Sequence, residues 1–159
     1  MRAMTKDAGL HMIPITILVC DDDEDDRMLT KLALEGAHIS NAVRFVSDGA
    51  QLLDYLYQRG AYGGETGAAP RPGLILMDLN MPNIDGRDAL RRIKEDPSLK
   101  SIPVVVLTTS RLGRDVIESY DLGVTAFIQK PVTLSGFLVA MNVLDHYWLE
   151  IVELSPRGG

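Results

Sequence analysis

Cysteine is almost missing from this chain: Cys20 is the single one in 159 residues. No disulfide can form within the chain and no CxxC pair offers a zinc site, so a reducing cytoplasm is the expected compartment. The thiol itself reads as strand packing. Long apolar runs are missing as well. No segment approaches the roughly 18 apolar residues needed to span a bilayer, and the opening "MRAMTKDAGLHMIP" holds no apolar signal-peptide core. Neither a membrane partner nor export is expected. A phosphate-cradling glycine loop is absent, since Gly60, Gly63 and Gly64 lack the accompanying Lys and Ser/Thr. A basic, aromatic-rich face is absent too. Arg91, Arg92, Arg111 and Arg114 read as solvated helix positions, which argues against a nucleic-acid partner.

What the chain does have is "CDDDEDDR", Cys20 to Arg27, which sets six carboxylates side by side after the apolar run "ITILV". The net charge of -6 resides there, because the remaining acidic and basic residues balance. A concentrated acidic patch on an otherwise neutral chain points to a cation site rather than to general solubility. An EF-hand loop starting at Asp21 is excluded, because its sixth and twelfth positions are Asp26 and Leu32 instead of Gly and Glu.

Short apolar runs alternate with stretches of helical period, the pattern of a parallel sheet covered by helices. Ile15–Cys20, Val43–Val46, Leu74–Leu79, Pro103–Thr108 and Ala126–Ile128 read as five strands buried on both faces. Helices are expected over Glu24–Glu35, with Leu29, Leu32 and Ala33 inward, and over Ala50–Arg59, Gly86–Glu95 and Arg114–Leu122. A long fifth helix follows Pro131. Gly60–Gly73, with five glycines and two prolines, reads as a loop on the side away from the strand C-termini. Residues 1–12 are expected to be a flexible segment, 13–154 one domain and 155–159 a frayed tail.

In an open parallel sheet, ligands bind outside the carboxyl ends of the strands. Strand one ends in Asp21-Asp22, strand three holds Asp78 of "LILMDLNMP", strand four ends in Thr108-Thr109-Ser110, and strand five is followed by Lys130-Pro131 of "AFIQKP". In type, order and spacing these motifs resemble the receiver domain of bacterial two-component response regulators, over Ile15 to Leu154. The contexts "RPGLILMDLNMP", "SIPVVVLTTS" and "HYWLEIVELS" are similar more narrowly to single-domain regulators paired with phytochrome-type histidine kinases.

The resemblance implies an α/β, doubly wound, flavodoxin-like fold with five parallel strands in the order 2-1-3-4-5. It implies Asp78 as phosphoacceptor for a sensor histidine kinase, of bacteriophytochrome type on the narrower match. Mg2+ prefers hard oxygen ligands, so Asp22, Asp78 and the Asn80 carbonyl are the expected ligands, with Asp21 acting directly or through water. Lys130 and Thr108 would stabilise the phosphoryl oxygens. Asp23 to Asp26 are assigned to helix capping and the helix dipole. Thr108 and Phe127 form the expected switch, Phe127 standing where the family often has Tyr. A cis peptide is expected before Pro131.

No output domain is expected beyond the last helix, so the switch is expected to act on a downstream protein, a phosphotransfer partner or a second copy. Tyr147, Trp148 and Ile151, on the far turns of the last helix, are the expected contacts of a homodimer. The chain is expected to be a signalling switch that catalyses at most its own phosphorylation and dephosphorylation. The alternative is a small Mg-dependent phosphatase of the haloacid-dehalogenase type. Against it, Asp25 stands where a Thr is usual and no acidic pair follows Lys130.

Overall fold

The apolar run at the start of the chain forms β1 (Thr16–Cys20), an inner strand of a five-stranded parallel sheet in the computed structural model. The structure describes residues 15–36, 42–64, 69–79, 86–108, 123–124, 126–129, 133–136, 138–139 and 142, with backbone alone at Thr108, Phe127 and Gln129. After β1 come α1 (Glu24–Gly36), β2 (Val43–Val46), α2 (Gly49–Leu56) and a 3-10 turn at Gly60–Tyr62. They are followed by β3 (Pro72–Met77), α3 (Gly86–Glu95), β4 (Val104–Thr108) and β5 (Ala126–Gln129). The strand order is β2-β1-β3-β4-β5.

Strand residues point alternately to the two faces of a sheet, and both faces are covered here. Leu18, Cys20, Ile75, Met77, Val104 and Val106 pack with Leu52, Leu53 and Tyr55 of α2 and Leu90 and Ile93 of α3. Ile17, Val19, Leu74, Leu76, Val105 and Leu107 pack on the other face with Ala33 and Leu34 of α1 and with Leu138. Each large aliphatic side chain buried in this way stabilises the fold by roughly 1.5–3 kcal/mol relative to exposure. The apolar runs of β1, β3 and β4 follow from this double covering, whereas β2, an edge strand with Arg44 exposed and only Val46 buried, is not buried on both faces as expected.

Several boundaries depart from the sequence-based expectation. β3 starts at Pro72 rather than Leu74 and ends at Met77 rather than Leu79. Proline is tolerated at the first position of a strand, and the pairing shifts register there, between Thr16 and Ile17. The Gly60–Gly73 stretch is therefore not all loop, since it contributes a 3-10 turn and the first strand residues. α2 runs Gly49–Leu56 instead of Ala50–Arg59, because the Asp48 carboxylate caps it by accepting the Gln51 N–H at 2.8 Å. At its other end the chain turns through Gln58 at φ 53. In α1 the expected inward Leu32 is 42% exposed; Thr30, Ala33 and Leu34 are the buried positions. The predicted helix over 114–122 lies outside the described residues, and residues 134–136, 138–139 and 142 are helical where the last helix is expected.

Candidate functional site

Cys20 of β1 pairs in register with Met77 of β3, so the next residue of each strand, Asp21 and Asp78, emerges side by side. The ladders carry on past the strands. Asp78 N–H donates to the Cys20 carbonyl at 3.0 Å, and Asp21 N–H to the Val46 carbonyl of β2 at 3.1 Å. Asp21 and Asp78 are 4% and 6% exposed, whereas Asp22 faces solvent. Carboxylate oxygens of Asp21, Asp22 and Asp78 lie within 4.8 Å of one another. Three like charges at that spacing repel unless a cation or protons offset them. An all-oxygen set of hard carboxylate donors fits a hard divalent ion such as Mg2+, Mn2+ or Ca2+ and ill suits a soft metal.

The six-acid run divides by position. The Asp21 carboxylate accepts the Asp23 N–H at 2.9 Å, and Asp23 in turn caps α1 by accepting the Asp26 N–H at 3.1 Å. Glu24, Asp25 and Asp26 fill the first turn, at the positive end of the helix dipole. The Cys20 thiol donates to the Asp48 carbonyl at 3.5 Å. Burial first, then the carboxylates of Asp21, Asp48, Asp78 and Asp22, push its pKa far above the ordinary thiol value. It stays a protonated packing residue at neutral pH, as the sequence suggests.

Gly86 opens α3 against the back of the site. Its N–H donates to the Leu79 carbonyl at 3.1 Å. A Cβ placed there would sit 2.6 Å from the Asp78 carbonyl oxygen and 2.7 Å from the Leu79 Cα. Only glycine permits this approach, which ties the start of α3 to the backbone that carries Asp78.

Two residues near the site were not singled out from sequence. Asp48 offered a signal, an acid directly before a helical pattern. Arg27, whose Nη1 donates to the Asp21 carbonyl at 2.6 Å, offered none, since the contact spans a turn whose shape is tertiary. Of the other expected site residues, Thr108 ends β4 beside Gln129 of β5, and Phe127 pairs with Val106. Asn80, Lys130, Pro131 with its preceding peptide bond, Tyr147, Trp148 and Ile151 lie outside the described residues.

Residues 17–142 match the response regulator receiver domain. The chain belongs to that family. This receiver is 40% identical over 141 residues to the response regulator Rcp1 of Synechocystis sp., covering 89% of this chain and 93% of the relative. Its fold matches the crystal structure of the Mn2+-bound form of Rcp1 with a TM-score of 0.77 at 39% identity, over 86% of this chain and 96% of that one. It matches the phosphorylated cyanobacterial phytochrome response regulator RcpA equally, with a TM-score of 0.77 at 39% identity, over 86% and 95% of the two chains. The receiver is a response regulator, a signalling switch of two-component type, and the phosphatase alternative finds no support. Among the described residues, no helix is long and apolar enough to cross a membrane.

Proposed function

We propose that Asp78 accepts a phosphoryl group from a phosphohistidine of a sensor histidine kinase, with Mg2+ as the cation held beside it. The observation that carries this reading is the meeting of the Asp21, Asp22 and Asp78 carboxylates at the ends of β1 and β3. A carboxylate oxygen of Asp78 attacks phosphorus, and the P–N bond breaks with its electron pair passing to the imidazole nitrogen. The product is an acyl phosphate on Asp78. When bound, the cation offsets repulsion between the carboxylates and the phosphoryl oxygens. In this reading Asp21, Asp22, Asp78 and the Asn80 carbonyl hold it, Lys130 places a fixed positive charge on the phosphoryl group, and the Thr108 hydroxyl donates to a phosphoryl oxygen. Movement of Thr108 leaves space for Phe127 to turn inward, which alters the surface offered to partners. A relative in a Mn2+-bound form and another in a phosphorylated form support the reading by analogy.

The kinase in this proposal is of phytochrome type, supported by the phytochrome association in RcpA's description. The receiver acts in the cytoplasm as one domain over residues 13–154, on a downstream protein or phosphotransfer partner, and pairs with a second copy through Tyr147, Trp148 and Ile151. The exposure of Leu134 and Val139 on the helical residues leading there is in keeping with such pairing.

Incubation with acetyl phosphate and Mg2+, read by intact-mass spectrometry, tests the central claim. The parent gains one phosphoryl group and Asp78→Asn gains none. Equal labelling of the Asn variant removes Asp78 from its role.

A further inference from the structure

Arg27 is the fourth residue of α1, and helical side chains lean back toward the N-terminus. Its guanidinium follows that lean past the first turn and donates to the backbone carbonyl of Asp21, six residues earlier, at 2.6 Å. The bond runs to the carbonyl, not to the neighbouring carboxylate. Three of the bonds that hold Asp21 lie among the described residues. Its N–H is bound to Val46, its carboxylate is oriented by the Asp23 N–H, and its carbonyl is clamped by Arg27. Only the last of these depends on a side chain outside the acidic cluster. Arg27 is half-buried, so its charge-assisted bond is partly shielded from competing water.

We infer that Arg27 is a positioning residue for the cation site, which through the Asp21 carbonyl fixes the turn from β1 into α1 that aims the Asp21 and Asp22 carboxylates. The inference rests on the reading of that cluster as a divalent-cation site. Two effects of Arg27 oppose one another. Its clamp preorganises the carboxylates and strengthens binding; its positive charge repels the ion. Asp22 is exposed, so salt and water screen the repulsion there, and the clamp prevails.

Calorimetric titration of Mg2+ alone into the parent, Arg27→Met and Arg27→Lys, each first checked for folding by its thermal transition without metal, decides the matter. Arg27→Met, which keeps the stem but loses the donors, binds Mg2+ about 10-fold more weakly. Arg27→Lys, which restores one donor and the charge, recovers part of that loss. A merely structural role would lower the transition temperature of Arg27→Met and leave the Mg2+ affinity of the folded fraction unchanged, and that outcome overturns the inference. Tighter binding by Arg27→Met overturns it as well, because the charge would then outweigh the clamp. A parent that binds no Mg2+ defeats the underlying cation-site reading instead.

Discussion

Asp22 is the exposed member of the carboxylate cluster, and its contribution can be isolated because its removal disturbs no buried packing. A ligand that binds only the folded state stabilises it by mass action, by about 2.7 kcal/mol at roughly a hundred times its Kd. In a domain of this size that corresponds to a rise in Tm of roughly 5–10 °C. The parent is expected to show such a rise with Mg2+ in thermal melts, and Asp22→Ala to lose it. An equal response in both proteins would remove Asp22 from the ligand set. A second residue-scale expectation concerns Tyr57, whose hydroxyl donates to the Asp96 carboxylate between the ends of α2 and α3. That bond, with those from Ser98, holds the Asp96 pKa below 3.8, and the same bond raises Tyr57 above 10.0. A depressed acid stabilises the fold above its unfolded pKa and loses the effect as pH falls through its folded value; a raised tyrosine stabilises below its unfolded pKa and loses the effect as pH rises through its folded value. The urea-midpoint difference between the parent and Tyr57→Phe is therefore expected to be small and level from about pH 5 to 9, shrinking on either side. A difference independent of pH from 2 to 11 would mean that the hydrogen bond contributes nothing.

At the scale of elements, the site depends on how closely α3 approaches β3. Gly86→Ala would drive a methyl into the Asp78 and Leu79 backbone, contacts that no flexible side chain can relieve. Overpacking of this kind costs about 1–3 kcal/mol, and here the displaced atoms carry the proposed phosphoacceptor. Gly86→Ala is expected to melt lower and to take phosphate from acetyl phosphate more slowly than the parent. A variant matching the parent in both measurements would show that the α3 start yields without moving Asp78. The Arg27 clamp is the counterpart on the β1 side, gripping the Asp21 carbonyl as Gly86 lies against the Asp78 carbonyl.

For the whole molecule, the sheet buries both faces, and apolar side chains left over on the surface become informative. Leu134 and Val139 are 40% and 64% exposed, and the proposed pairing residues follow them in the chain. Light scattering is expected to give a dimer for the parent, weakened in Trp148→Ala, with beryllofluoride shifting the balance if the switch reaches that surface. A parent that remains monomeric with and without beryllofluoride would refute the pairing; a dimer indifferent to Trp148→Ala would move the interface elsewhere.

The strands were legible in the sequence because a strand covered on both faces must be apolar throughout, so "ITILV", "GLILM" and "PVVVLT" announce themselves. The acids at their ends were legible for the opposite reason, since nothing in a core would tolerate them unpartnered. Boundaries were less so. Pro72 joins β3 only because its register against Thr16 shifts, and Leu32 faces solvent because the α1 stripe settles on Thr30, Ala33 and Leu34 against the sheet. The strand-end rule put Asp21 and Asp78 on one rim; the register that pairs Cys20 with Met77 is what sets them side by side across 57 positions of chain. The sequence by itself determined the apolar inner strands and which chemistry would stand at the strand ends, because hydrophobic pattern and residue type are local properties. Only the tertiary structure decided that Arg27 grips Asp21 and that Gly86 lies against Asp78, because such contacts depend on the register of strands and the path of turns.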